Sequence, residues 1–110
     1  NQLYIINTST GEDTYSPAYV GSKVAVRKCD DGILMISSSR SDGVMMANLD
    51  GSVKWTANLE HDVDSVEGLQ VVDDRIIFCY EWYDEAAGFG DTYVALDRES
   101  GEMLVSATPA

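Results

Sequence analysis

Cysteine and proline each occur only twice in the 110 residues, and histidine once. Two cysteines, Cys29 and Cys79, are too few for a disulfide framework, and no C-x-x-C is present for metal or redox work. Their pairing with each other stays open if the fold brings them within disulfide range. Free buried thiols are the expected state. The lone His61 stands in no nucleophile motif. There is no G-x-S-x-G, the serine tract Ser37-Ser38-Ser39 reads as loop, and one histidine with two distant cysteines has no zinc spacing. Paired carboxylates are abundant, so their presence alone does not argue for glycosidase chemistry, where separation in space decides. No run approaches the roughly 18 apolar residues of a membrane helix, so no membrane insertion is expected. Neither an initiator methionine nor a charged start with an apolar core is visible, which suggests a piece from within a longer gene product.

Basic residues are scarce as well. Seven Lys and Arg face nineteen Asp and Glu, for a formal net charge of −12. The imbalance is lopsided: residues 1–55 carry six acids and five bases, residues 56–110 thirteen acids and two bases. Such a surface repels a phosphate backbone, so nucleic acid is excluded as a partner, and anionic membrane surfaces with it. Cations and basic proteins remain, beside the plain reading of a solvated acidic surface. The apolar share of 45% is that of a globular chain, and the length is that of a single domain over 1–110.

What the chain does have is internal repetition, which decides fold before any local pattern. Val94-Ala95-Leu96-Asp97-Arg98-Glu99-Ser100-Gly101-Glu102-Met103 reads as strand, turn and strand. Leu3-Tyr4-Ile5-Ile6-Asn7-Thr8-Ser9-Thr10-Gly11-Glu12 is a near copy. A shorter version is Met46-Ala47-Asn48-Leu49-Asp50-Gly51, with Trp55 four residues after its glycine. From Gly11 to Gly101 is 90 residues with Gly51 between, a mean period of 45. A second landmark alternates with the first. Asp30-Asp31-Gly32-Ile33-Leu34-Met35-Ile36 returns 43 residues later as Asp73-Asp74-Arg75-Ile76-Ile77-Phe78-Cys79, each a two-aspartate turn feeding a buried-looking strand. A period in the 40s made of four short strands is the size of one propeller blade.

Ala95-x-Asp97-x-x-Ser100-Gly101-Glu102 resembles the blade signature of the PQQ-like (pyrroloquinoline-quinone-type) β-propeller repeat. In that family a closing tryptophan packs between adjacent blades. Trp55 matches it, whereas Tyr15 and Val105 depart from it, as Ile5 and Asn7 depart from the alanine and aspartate. The resemblance with these departures implies a degenerate, non-enzymatic member. Its function would be that of a non-catalytic binding or scaffold module for protein or small-ligand interaction, in an extracytoplasmic setting. The alternative is part of a quinoprotein dehydrogenase-like propeller, which needs cofactor-stacking tryptophans and a calcium-binding set on the axis.

The expected fold is therefore all-β, with four-stranded antiparallel propeller-type blades: a half blade over 1–15, a blade over 16–57 and another over 58–110. Ser16-Pro17 and Tyr19-Val20-Gly21 lead into a strand over Lys23–Arg27. Ile33–Ile36 is a continuous apolar run, expected to be buried on both faces. Asp50-Gly51 is a hairpin turn. Asn58–Ser65 is an acidic link, Gly68–Val72 and Ile76–Tyr80 are strands, and Glu81–Asp91 reads as an irregular loop. A helix is conceivable only over Asp84–Ala87 and is too short to stand alone. Two and a half blades cannot close a ring, so a fragment of a larger propeller is favoured. The remaining blades or a protein partner would then cover the edges, with oligomerisation as another means.

Blade topology puts the link and the loop between second and third strands on one face. Glu60, His61, Asp62 and Asp64 are thus expected near Glu81, Trp82, Tyr83, Asp84, Glu85 and Asp91, as an acidic aromatic rim for a cation, a basic partner or a sugar. Asp84 and Glu85 are where a calcium ion would bind. No EF-hand spacing is present, and the plain alternative is solvated loop. No other cofactor is implied. Trp55, Tyr15 and Met45-Met46 read as inter-blade core rather than a quinone pocket.

Overall fold

The computed structural model describes residues 4–6, 13–15 and 23–109, with side-chain detail from 24 to 109. Among these residues all regular structure is extended. Strands β1 (Tyr4–Ile6) and β2 (Asp13–Tyr15) pair antiparallel, Tyr4 against Tyr15. Strands β3 (Lys23–Lys28), β4 (Gly32–Ser37), β5 (Val44–Asn48) and β6 (Val53–Ala57) form one antiparallel sheet in chain order. Strands β7 (Ser65–Val72), β8 (Arg75–Asp84), β9 (Gly88–Asp97) and β10 (Met103–Ala107) form a second sheet of the same order. The all-β, four-stranded expectation holds for both, and no closed barrel forms among the described residues. The expectations on Asn7, Gly11, Ser16-Pro17, Tyr19–Gly21 and the Tyr15 side chain fall outside the described residues.

Each sheet is built with the same turn chemistry. The Asp30-Asp31 turn is closed by Cys29 N–H donating to the Gly32 carbonyl at 2.7 Å. Its counterpart, Asp73-Asp74, has Asp73 at a φ of 53°, a conformation that aspartate tolerates better than most residues. In the later hairpins a carboxylate folds the chain onto itself. Asp50 Oδ1 accepts from Ser52 N at 2.9 Å, and Asp97 Oδ1 accepts from Glu99 N and Ser100 N at 2.9 and 3.0 Å. These are local side-chain bonds that favour a turn over strand continuation.

One core lies between the sheets. Leu34, Ile36, Val44, Met46 and Trp55 from the first meet Ile76, Phe78, Tyr80, Trp82, Val94 and Leu96 from the second. The opposite face of the first sheet is buried too, with Ile33, Met35, Met45 and Ala47 in a cluster of their own. The continuous run Ile33–Ile36 is thus buried on both faces, as expected for unbroken apolar strands. The copy in β8 differs. Ile76, Phe78 and Tyr80 are buried, but Ile77 between them is 42% exposed, because the outer face of the second sheet is open.

Two boundaries depart from expectation. Glu81–Asp91 is not an irregular loop: β8 and β9 run ten residues each, pairing from Arg75↔Asp97 to Asp84↔Gly88. Period-two alternation continues past Tyr80, with Trp82 buried and Glu81 and Tyr83 exposed, and Tyr83 packs against Phe89 across the hairpin at 4.9 Å. The two glycines in Gly88-Phe89-Gly90 hide this alternation in the sequence. Likewise β7 starts at Ser65 rather than Gly68. The ladder continues through a bulge between Glu67 and Gln70, where Gly68 takes a φ of 64°.

Candidate functional site

At one end of the sheets the acidic link, residues 58–64, is laid across the β4–β5 loop. Leu59 N donates to the Arg40 carbonyl and Val63 N to the Ser38 carbonyl, at 2.9 and 2.8 Å. Asp62 Oδ1 accepts from Arg40 N at 2.9 Å and from its Nε at 3.3 Å, and Asn58 Oδ1 accepts from Asp42 N. Leu59 and Val63 are buried beneath. The link is held by apolar burial and backbone bonds, while the ion pair, exposed on both sides, adds little.

The link then meets β8. Asp64 N donates to the Glu81 carbonyl at 2.8 Å, and His61 N to the Tyr80 hydroxyl at 3.4 Å. The His61 ring stacks on Trp82 with centroids 3.8 Å apart and planes 12° apart. Trp82 is 6% exposed and donates Nε1–H to Thr92 Oγ1 at 2.8 Å, and Thr92 shares a 2.7 Å bond with Thr108. A side chain on Gly90 would intrude on this indole, its Cβ lying 2.2 Å from the ring, so only glycine lets Trp82 lie flat across β9. Burial pushes the Tyr80 hydroxyl pKa upward despite its hydrogen bonds.

The structure therefore brings together His61, Trp82, Asp62 and Asp64 at the Glu81 backbone, with Glu60 beside them accepting from Ser106 Oγ at 2.7 Å. It separates the rest. The Glu81 side chain, Tyr83 and Asp91 stand on the exposed side of the second sheet, Asp91 opposite Glu81 in the ladder. Asp84 and Glu85 sit at the hairpin tip, where Asp84 Oδ1 accepts from Ala86 N and Ala87 N at 2.7 and 3.3 Å, the work of a turn residue. Among the described residues no group of three or more His, Cys, Asp or Glu is arranged to hold a metal ion. Cys29 and Cys79 are unpaired, one in the inter-sheet core and one on the outer side of β8. No helix among the described residues is long and apolar enough to cross a membrane.

The opposite end carries a constellation that sequence reasoning missed. Arg98 donates Nη2–H to Asp31 Oδ1 at 2.8 Å and its backbone N–H to the Asp74 carbonyl at 2.8 Å, so one residue ties both two-aspartate turns together. Lys54 Nζ lies 2.9 Å from Glu99 Oε1 and 4.0 Å from Asp31 Oδ2. The hydrogen bond from Arg98 holds the Asp31 carboxyl below its ordinary pKa and raises that of the guanidinium. Beneath them Trp55, 8% exposed, donates Nε1–H to the Arg98 carbonyl at 2.8 Å. A groove of about 370 Å³ runs between the turns, lined by Asp30, Asp31, Asp73, Asp74, Arg98 and Glu99. The signal was present as the repeated aspartate pair. Arg98, however, occupies a variable position of the repeat, where periodicity carries no information.

No protein-family model matches this sequence, and no curated protein matches it.

Proposed function

We propose that the chain is a non-catalytic binding or scaffold module of the β-propeller type, with a basic protein segment as partner for its acidic link end. The observation that carries the reading is the stacking of two sheets as successive copies of one unit, clamped by Trp55, Arg98 and Asp31. His61 meets an indole rather than a hydroxyl or thiol, and Trp82 is bound to Thr92. What the link end offers a partner is charge: Glu60, Asp62 and Asp64 are exposed there, although Asp62 also meets Arg40 and Glu60 meets Ser106. The resemblance to PQQ-like repeats and its extracytoplasmic setting belong to this proposal. So does calcium at Asp84 and Glu85, which would need backbone carbonyls and water to complete its shell.

Two titrations followed by tryptophan fluorescence test it. An oligolysine peptide is expected to give a saturable change that exceeds the effect of matched sodium chloride. That change should weaken in D62N/D64N and persist in D73N. Pyrroloquinoline quinone with calcium is expected to give no saturable quench. A quench with dye reduction on adding an alcohol would establish the quinoprotein alternative instead, and a peptide response no greater than that of salt would remove the binding-end reading.

A further inference from the structure

The two sheets correspond residue by residue, and the correspondence exposes a mismatch. The first sheet receives the second on Leu34, Ile36, Val44, Met46 and Trp55. Superposing the two-aspartate turns carries Leu34 to Ile77 and Ile36 to Cys79. Ladder register then carries the rest. Leu34 pairs with Met46 and Ile36 with Val44, while Ile77 pairs with Ala95 and Cys79 with Tyr93. Met46 pairs with Trp55, and Ala95 with Val105. The receiving set of the second sheet is therefore Ile77, Cys79, Tyr93, Ala95 and Val105. All five lie on its outer face, where Ile77 is 42%, Tyr93 54% and Val105 48% exposed. The face that is core in the first copy is open in the second.

The polar anchor repeats in the same way. Asp31 takes the Arg98 guanidinium that the second sheet extends back to the first. Among the described residues, the carboxylate of its counterpart Asp74 pairs with its own neighbour, Arg75, at 3.2 Å, with both side chains largely exposed. Around the open face stand Glu67 and Asp91, whose charges bear on Cys79, with Glu81 opposite Asp91. Like charges facing across a ladder are unfavourable until a cation joins them. A second copy presenting the same acidic face would add to that repulsion.

We infer that the outer face of the β7–β10 sheet is the seat of a further antiparallel sheet of this same repeat, docked as β7–β10 docks on β3–β6, with an arginine from its last hairpin on Asp74. This deepens the scaffold reading above and rests on it. The interface already in the molecule is continued by one step, so apolar burial and the charge of the anchor are both specified. Sheets that stack by repetition are stabilised by each neighbour they gain.

The test appends a second copy of residues 58–109 after Ala110, with the copy's own Cys79 changed to Ser. Native-state alkylation of the original Cys79 by iodoacetamide is the readout. Seating the added sheet should slow it by about tenfold or more, as burial blocks reagent access. Urea melting should remain a single transition with a larger m-value, since more surface is buried. R98A in the added copy, or D74N in the original unit, should return labelling toward the parent rate. Labelling at the parent rate overturns the inference, whether the added unit folds apart or stays unfolded. Slowed labelling that ignores both variants overturns Asp74 as the anchor. Labelling of the parent chain that slows with rising concentration overturns it too, since a second copy then covers the face. The oligolysine titration reads the opposite end of the sheets, so either result can fail without the other.

Discussion

Trp55 donates its indole N–H to the carbonyl of Arg98, forty-three residues further on, at 2.8 Å. The ring also lies against Gly101, where an added Cβ would stand 2.5 Å from it. Gly101 has a φ of 76°, so the glycine that makes the hairpin turn is also the one that makes room for the tryptophan. One side chain thus reads both the turn and the packing of the next sheet.

Trp55→Ala should therefore cost about 3–5 kcal/mol in urea melts, the range of large-to-small changes in a core. Trp55→Phe keeps most of the ring but leaves the Arg98 carbonyl without its donor, and should cost less, with about 1–3 kcal/mol from the lost bond. A Trp55→Ala loss below about 1 kcal/mol would show that the sheets do not depend on this contact.

Gly90 supports Trp82 in the same physical way, but within one sheet. Gly90→Ala places a methyl group inside the indole. The ring has to leave its stack on His61, and overpacking of this kind costs about 1–3 kcal/mol. Tryptophan emission should shift to the red as Trp82 gains water. Gly90→Ala combined with Trp82→Leu should recover part of the loss relative to the sum of the single changes, because the clash is gone. Strict additivity would mean that the two positions do not touch.

How far the sequence discloses this follows from what periodicity records. Repetition registers the positions that two copies share, and so the aspartate turns and the apolar strands were legible, whereas Trp55, matched by Tyr15 and Val105 in the other copies, stood out through the family resemblance. Repetition is silent on Arg98, which joins one copy to the other from a position filled by a different residue in each copy. The hairpin over Glu81–Asp91 was hidden for a different reason. Gly88 and Gly90 are ordinary signs of a loop, yet Gly90 is glycine because an indole lies over it. Within the candidate site, the nearness of His61 to Trp82 followed from strand order, but the stacking did not. Nor was it legible that Asp84 would be spent on its own turn.

Acid should release the carboxylates of the turns. Asp31 is held below its ordinary pKa first by its bond to Arg98, Asp97 by the Ser100 and Glu99 amides, and Asp50 by Ser52. With folded values depressed, the unfolded chain takes up protons first as pH falls. The stabilisation is therefore present above the ordinary carboxylate pKa and is lost as pH falls through the lower folded values. Asp31→Asn should lower the melting temperature at pH 7 by less than either Trp55 change, because the pair is solvated. The difference from the parent should vanish near pH 2. A difference that persists there would assign the effect to packing.

The two thiols report on the two faces of the second sheet. Cys29 lies in the inter-sheet core, so it should react with iodoacetamide only when urea opens the molecule. Cys79 stands on the outer side of β8 and should react in the native state, though slowly at neutral pH. Partial burial raises its pKa first, and the charges of Asp91 and Glu67 raise it further, which keeps the reactive thiolate scarce. Labelling should accelerate as pH rises past the ordinary thiol range. Removing a neighbouring negative charge by Asp91→Asn or Glu67→Gln should lower the thiol pKa and speed labelling at pH 8 by a factor of about two to five, the effect expected of a charge at a solvated surface. Once the thiol is fully ionised the variants and the parent should converge. If Cys29 labels first, or if neither substitution changes the rate at pH 8, then Cys79 does not stand between those carboxylates on an open face.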